Sequence, residues 1–97
     1  MGLSIRNVGG TYFLSGELDW LGAEDLRVAI EPERKEPQEL VLDLADVTFI
    51  DSIGVRSLVL LSRACRGIVL RYPQDRLLRV FELLEVDEIP GIRVEVG

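Results

Sequence analysis

The chain has 97 residues, with 17 acidic against 11 basic side chains and a formal charge of −6. That balance argues against partners that need a basic patch, nucleic acid and anionic membrane alike. One cysteine, Cys65, and no histidine leave no disulfide framework, no imidazole for acid–base catalysis and no usual His/Cys zinc site.

A chain of this size buries roughly 60–65% of its unfolded surface, enough for a small core but not for a deep internal active site. No apolar run approaches the ~20 residues that cross a bilayer, so no direct membrane insertion is expected. The first ten residues lack the basic-then-apolar order of a secretory leader. With a single cysteine, the expected setting is reducing and cytoplasmic.

Leu3–Val8 alternates apolar and polar residues, as a half-buried strand does. Gly9-Gly10 is a two-residue hairpin signal, and Thr11–Ser15, β-branched and aromatic, pairs back antiparallel. Gly16-Glu17-Leu18-Asp19 follows. Asp19 is placed to cap a helix over about Leu21–Ile30, with Leu26, Ala29 and Ile30 inward and Pro32 as its stop. Glu31–Glu39 reads as a solvated, charged loop holding the sole lysine, Lys35.

Leu40, Val41, Leu42 and Leu44 read as a buried strand, and Ala45–Ile50 as the turn after it. Asp51-Ser52-Ile53-Gly54 then opens a helix with Val55, Leu58, Val59, Leu61 (or Ser62) and Cys65 on its apolar face and Gly67 as its C′ residue. Ile68–Leu70 is the next buried strand. Pro73 suits the first position of a third helix with a stripe of Leu77, Leu78, Val80, Phe81 and Leu84. After a turn over Asp87–Gly91, Ile92–Val96 closes the chain as an alternating strand. The order ββαβαβαβ predicts one α/β domain over residues 1–97. Its sheet is mixed and mostly parallel, with an antiparallel N-terminal hairpin and right-handed crossovers.

The stretch Asp51–Gly54 sets a hydroxyl and a carboxylate at the positive end of a helix, just past a strand, where α/β proteins place their working surface. Read alone, Ser52 is a helix cap worth ~1 kcal/mol, and so is Asp19. Asp51 and Ser52 together exceed what one helix end needs.

Three segments resemble the STAS family, the domain of bacterial anti-sigma-factor antagonists and of sulfate-transporter tails. They are Gly16-Glu17-Leu18-Asp19, the run Leu42-Asp43-Leu44 through Phe49-Ile50-Asp51-Ser52-Ile53-Gly54, and Arg79–Leu84. The resemblance, of the anti-sigma antagonist type, covers nearly the whole chain. It implies that Ser52 is a phosphoacceptor and that Asp19 and Asp51 lie near it on the face that meets a kinase. The position after the acceptor, often Ser or Thr in the family, is Ile53 here, and Trp20-Leu21 stand where polar residues are usual.

On that reading the partner-binding residues are Asp19, Trp20, Asp51, Ser52, Ile53, Gly54 and Arg56. Trp20 is open to either reading, core or binding hot spot. Arg56, one turn beyond Ser52, is either solvated or set to meet a partner carboxylate or the phosphate. Cys65 reads as core filler. No catalytic residue, metal ligand set or cofactor is implied.

The function implied first is that of a non-enzymatic antagonist. It binds an anti-sigma factor that is also a serine kinase, frees the sigma factor, and is switched off by phosphorylation at Ser52. The free protein is expected to be a monomer. The second reading keeps the fold and drops the switch: an accessory subunit of a lipid-transporting ABC system, docked on its ATPase. An aspartyl-phosphate enzyme built on Asp43, Asp46 and Asp51 is disfavoured, because no further acidic pair and no lysine at a strand end converge with them.

Overall fold

A computed structural model describes residues 2–30 and 39–97. The elements are β1 (Leu3–Val8), β2 (Thr11–Leu18), α1 (Trp20–Ile30), β3 (Leu40–Ile50), α2 (Ser52–Ala64), β4 (Ile68–Arg71), α3 (Asp75–Leu83), a short 3-10 turn (Val86–Glu88) and β5 (Ile92–Glu95). They form one five-stranded sheet in the order β1-β2-β3-β4-β5. β1 lies antiparallel to β2 and every other neighbouring pair is parallel. The mixed α/β topology expected from the sequence is therefore the one observed. The charged stretch 31–38, with Pro32 and Lys35, lies outside the described residues.

The hairpin forms because Gly9 and Gly10 both take positive φ, 60° and 92°. That is the pair of left-handed residues a tight two-residue turn between twisted strands requires. The Asn7 carboxamide oxygen accepts the Gly10 N–H at 3.1 Å.

Each parallel step adds its strand on the same side of the last. Right-handed crossovers repeated in one direction set all three helices on one face of the sheet. Burial agrees with this. Tyr12, Leu14, Leu42, Leu44, Leu70 and Ile92 from the strands join Leu26, Ile30, Leu58, Leu77 and Phe81 from the helices in a single apolar cluster. On the other face, register aligns Arg6, Phe13, Asp43, Arg71 and Glu95 in one row across five strands. Arg6 stacks over Phe13, 5.6 Å from the ring centroid, and Arg71 pairs with Glu95 at 3.3 Å.

Four local expectations are corrected. First, Ala45–Ile50 is strand, not turn. The pairing with β2 jumps from Phe13↔Asp43 to Ser15↔Asp46, and from Gly16↔Val47 to Glu17↔Phe49. β3 thus carries two extra residues, and a bulge accommodates each. The Asp43 carboxylate accepts the Ala45 N–H at 3.0 Å, and the Thr48 hydroxyl donates to the Gly16 carbonyl at 3.2 Å. The first bond, from a side chain to the backbone two residues on, is the turn-like chemistry that the sequence displays, and the second ties β3 to β2. The bulges also re-phase the strand, so that Leu44, Val47 and Ile50 all reach the core.

Second, α2 ends at Ala64 with an extended Cys65, so Gly67 is not its C′ residue. Gly67, at φ 122°, is needed one step later. A Cβ there would lie 2.9 Å from the Gly91 carbonyl oxygen. Third, α3 starts after Pro73. Tyr72 turns the chain through φ 58°, and Gln74, still extended, donates its side-chain amide to the Ala45 carbonyl at 2.8 Å. Fourth, Leu84 is 50% exposed past the end of α3, and Ala29 is only half-buried. Val86 and Gly22 take core positions instead.

Candidate functional site

β2 and β3 outrun the rest of the sheet and end level with each other, Leu18 opposite Ile50. The next residue on each strand is an aspartate that starts a helix. Asp19 accepts the Gly22 N–H at 2.9 Å, and Asp51 accepts the Gly54 N–H at 2.8 Å. Each satisfies a donor that the helix itself cannot. The two glycines do the same work. A Cβ on Gly22 would run into the Glu17 carbonyl oxygen, and one on Gly54 into the Leu18 carbonyl oxygen. A repeated Asp-x-x-Gly unit thus seats α1 and α2 on the end of β2. It sets their positive ends side by side.

Ser52 is the first residue of α2. It is exposed, and its hydroxyl makes no hydrogen bond among the described residues. The cap at this end is Asp51 alone. The capping role the sequence allowed for Ser52 is not observed, and its hydroxyl is uncommitted.

Trp20 holds the matching position in α1 and is 64% exposed, so it is not core. Ile53 is 49% exposed beside it, whereas Gly54 is buried as the seating residue. Arg56 is exposed one turn along and forms no ion pair among the described residues. Asp19 and Asp51 are half-buried, as caps. Asp43 is nearly buried in the first bulge, and Asp46 is exposed. Cys65 packs half-buried against the core.

The structure adds something the sequence reading did not identify. A groove of about 540 Å³ runs between α1 and α2. Trp20, Ala23, Leu26 and Ile30 line it from one helix, and Ile53, Ser57, Leu60 and Ala64 from the other. Ile53 and Leu60 were the available signal. They are one heptad apart and lie opposite the inward stripe of Val55, Leu58 and Ser62.

Glu24 and Arg27 stand on the α1 lip, 2.6 Å apart. The hydrogen bond from Arg27 holds the Glu24 carboxyl below the usual carboxylate range, helped by its charge and opposed by desolvation.

The arrangement offers an uncommitted hydroxyl, two helix N-termini and exposed apolar surface. Among the described residues, no group of His, Cys, Asp and Glu is placed to hold a metal ion, and no helix is long and apolar enough to cross a membrane. Among the described residues, no base is hydrogen-bonded to the Ser52 hydroxyl. An exposed hydroxyl and exposed apolar side chains beside two helix N-termini suit recognition. A family model described as Mlab, STAS domain, matches residues 2–94. No curated protein matches the chain.

Proposed function

The chain belongs to the STAS domain family, and from that premise we propose that it is an anti-sigma factor antagonist. Anti-sigma factor antagonists are among the members of this family. In this reading the unmodified domain binds an anti-sigma factor that is also a serine kinase, and so releases the sigma factor. Phosphorylation of Ser52 ends the complex. The observation that carries the reading is the uncommitted, exposed Ser52 hydroxyl at a helix end already capped by Asp51. The domain does not need this hydroxyl for its own helix, so modification leaves the fold intact.

A phosphoryl group brings about −1.5 to −2 charges to the rim formed by Asp19, Trp20, Asp51, Ile53 and Arg56. The fold tolerates that charge, because it falls at the positive end of α2. A partner surface that accepted a neutral hydroxyl there does not.

The test is affinity purification of the tagged protein from its own host, followed by phosphorylation of the recovered complex with ATP. The expected partner is a small serine kinase. It transfers one phosphoryl group to the wild type and none to Ser52→Ala, and the modified complex falls apart. Recovery of a transporter ATPase and its permease instead overturns the switch. It supports the second reading, an accessory subunit of a lipid-transporting ABC system docked through the same face. The exposure of Trp20 and Leu60, 64% and 52%, favours that alternative to the extent that a permanent partner would cover them.

A further inference from the structure

The outer surface of α2 is sorted lengthwise. Ile53, Leu60 and Ala64 line the groove against α1. Beside them, on the solvent side, Ser52, Arg56 and Arg63 fall into one stripe by helical spacing. Arg56 and Arg63 are exposed and form no ion pair among the described residues. In a chain of net charge −6, they set two cations along one lip of an apolar groove.

We infer that the α1–α2 groove is the seat of a partner's amphipathic acidic helix, with its apolar stripe in the groove and its carboxylates against Arg56 and Arg63. The inference rests on the reading of the Ser52 end as a partner-binding face, and it names what that face binds. Two observations fix the occupant's chemistry. The groove is apolar and as long as α2, 13 residues or about 20 Å at ~1.5 Å per residue, which matches a partner helix of three to four turns. The lip that the partner passes carries two exposed arginines, which carboxylates flanking the apolar stripe of a partner helix would neutralise.

The arrangement also explains how Ser52 is read. A phosphate on Ser52 stands one turn from Arg56, within the reach of an i, i+4 pair. It takes Arg56 from the partner and repels the partner's carboxylates at the same end of the groove. Arg63, nearly two turns further, is left as it was.

Trp20 is the only tryptophan in the chain and lines the groove, so its fluorescence reports occupancy. The probes are two synthetic 14-residue helical peptides with the same leucine stripe, one flanked by glutamates and one by lysines. The glutamate peptide is expected to shift Trp20 emission to the blue and to bind at least about tenfold more tightly than the lysine peptide. Arg56→Glu combined with Arg63→Glu should reverse that order, and Leu60→Asp should abolish both. All these positions are exposed, and circular dichroism verifies that the variants stay folded.

Equal binding of the two peptides, or no binding, overturns the inference. So does a dimer in sedimentation that Leu60→Asp disperses, because the groove would then hold a second copy. The partner recovered from the host separates this result from the broader reading. If Ser52→Glu loses that partner while the Arg56/Arg63 and Leu60 variants keep it, the binding face stands and the acidic helix falls. If Ser52→Glu keeps it and the groove variants lose it, the Ser52 switch falls and the groove stands.

Discussion

At the scale of single residues, the two Asp-x-x-Gly units separate what a side chain does for the fold from what it offers outward. Alanine in place of glycine inside an exposed helix normally gains up to ~1 kcal/mol of propensity. At Gly54 the sign reverses, because the new Cβ meets the Leu18 carbonyl oxygen and Ile50 Cγ1 at once. Overpacking of this kind costs roughly 1–3 kcal/mol. Gly54→Ala should therefore lower the urea midpoint clearly, and an unchanged midpoint would show that the strand end yields. At the next level of detail, Asp51→Ala should cost about 0.5–2 kcal/mol as a lost cap, whereas Ser52→Ala should stay within about 0.5 kcal/mol. Equal losses in a denaturation series would mean that Ser52 shares the cap. The start of α2 at Ser52 and the Asp19 cap were legible from residue types. The division of labour between Asp51 and Ser52 was not, since both residues cap helices and only the backbone's path shows which one occupies the Ncap position. The outward position of Trp20 was equally hidden. Its type favours a core, and its placement at the first turn of α1 decides otherwise.

At the scale of elements, the helix positions show where charge is tolerated. The first turn of α2 holds no acidic side chain beyond its cap. A carboxylate at Ser52 gains from the helix dipole by up to ~1 kcal/mol at low salt. Ser52→Glu should thus leave the melting temperature unchanged or slightly raised. A strong drop would contradict a switch that works at the interface rather than through the fold. β3 is the element the sequence disguised. Its residues around Ala45 look like a turn because Asp43 bonds to the backbone two residues on, as turn residues do. Only pairing with β2 reveals a strand. Leu40–Asp43 is paired with β4, and from Val41 on with β2 as well, while the part from Ser15↔Asp46 onward is paired with β2 alone. Amide hydrogen exchange should therefore be slower over Leu40–Asp43 than over Val47–Ile50. The reverse order would mean that the tip is held by more than its ladder.

For the whole molecule, one apolar cluster joins every helix to one face of the sheet, and Phe81 is among its largest fully buried side chains. Phe81→Ala should cost about 3–5 kcal/mol, a large share of a small domain's stability. On the open face, Arg71→Ala should cost no more than about 1 kcal/mol, because the pair with Glu95 is partly solvated. A thermal or urea comparison of the two variants tests whether stability is as one-sided as the burial. The strand order and the parallel steps were legible, since alternating strand and helix patterns leave few topologies once crossovers are right-handed. The α1–α2 groove was not, because it belongs to two helices distant in sequence and is defined only by how closely their ends are seated.

The two bulges of β3 act as a length gauge. β2 reaches its cap in fewer residues than β3 does, and the surplus is stored sideways, so that Leu18 and Ile50 finish level. The Asp51–Gly54 seat holds Ser52 in place, and the count of residues upstream decides where that seat falls. Removing Thr48 alone would draw the start of α2 back by one strand step, ~3.3 Å, and turn it toward the opposite face. Every residue of the binding rim would still be present, but Trp20 and Ser52 would no longer share an edge.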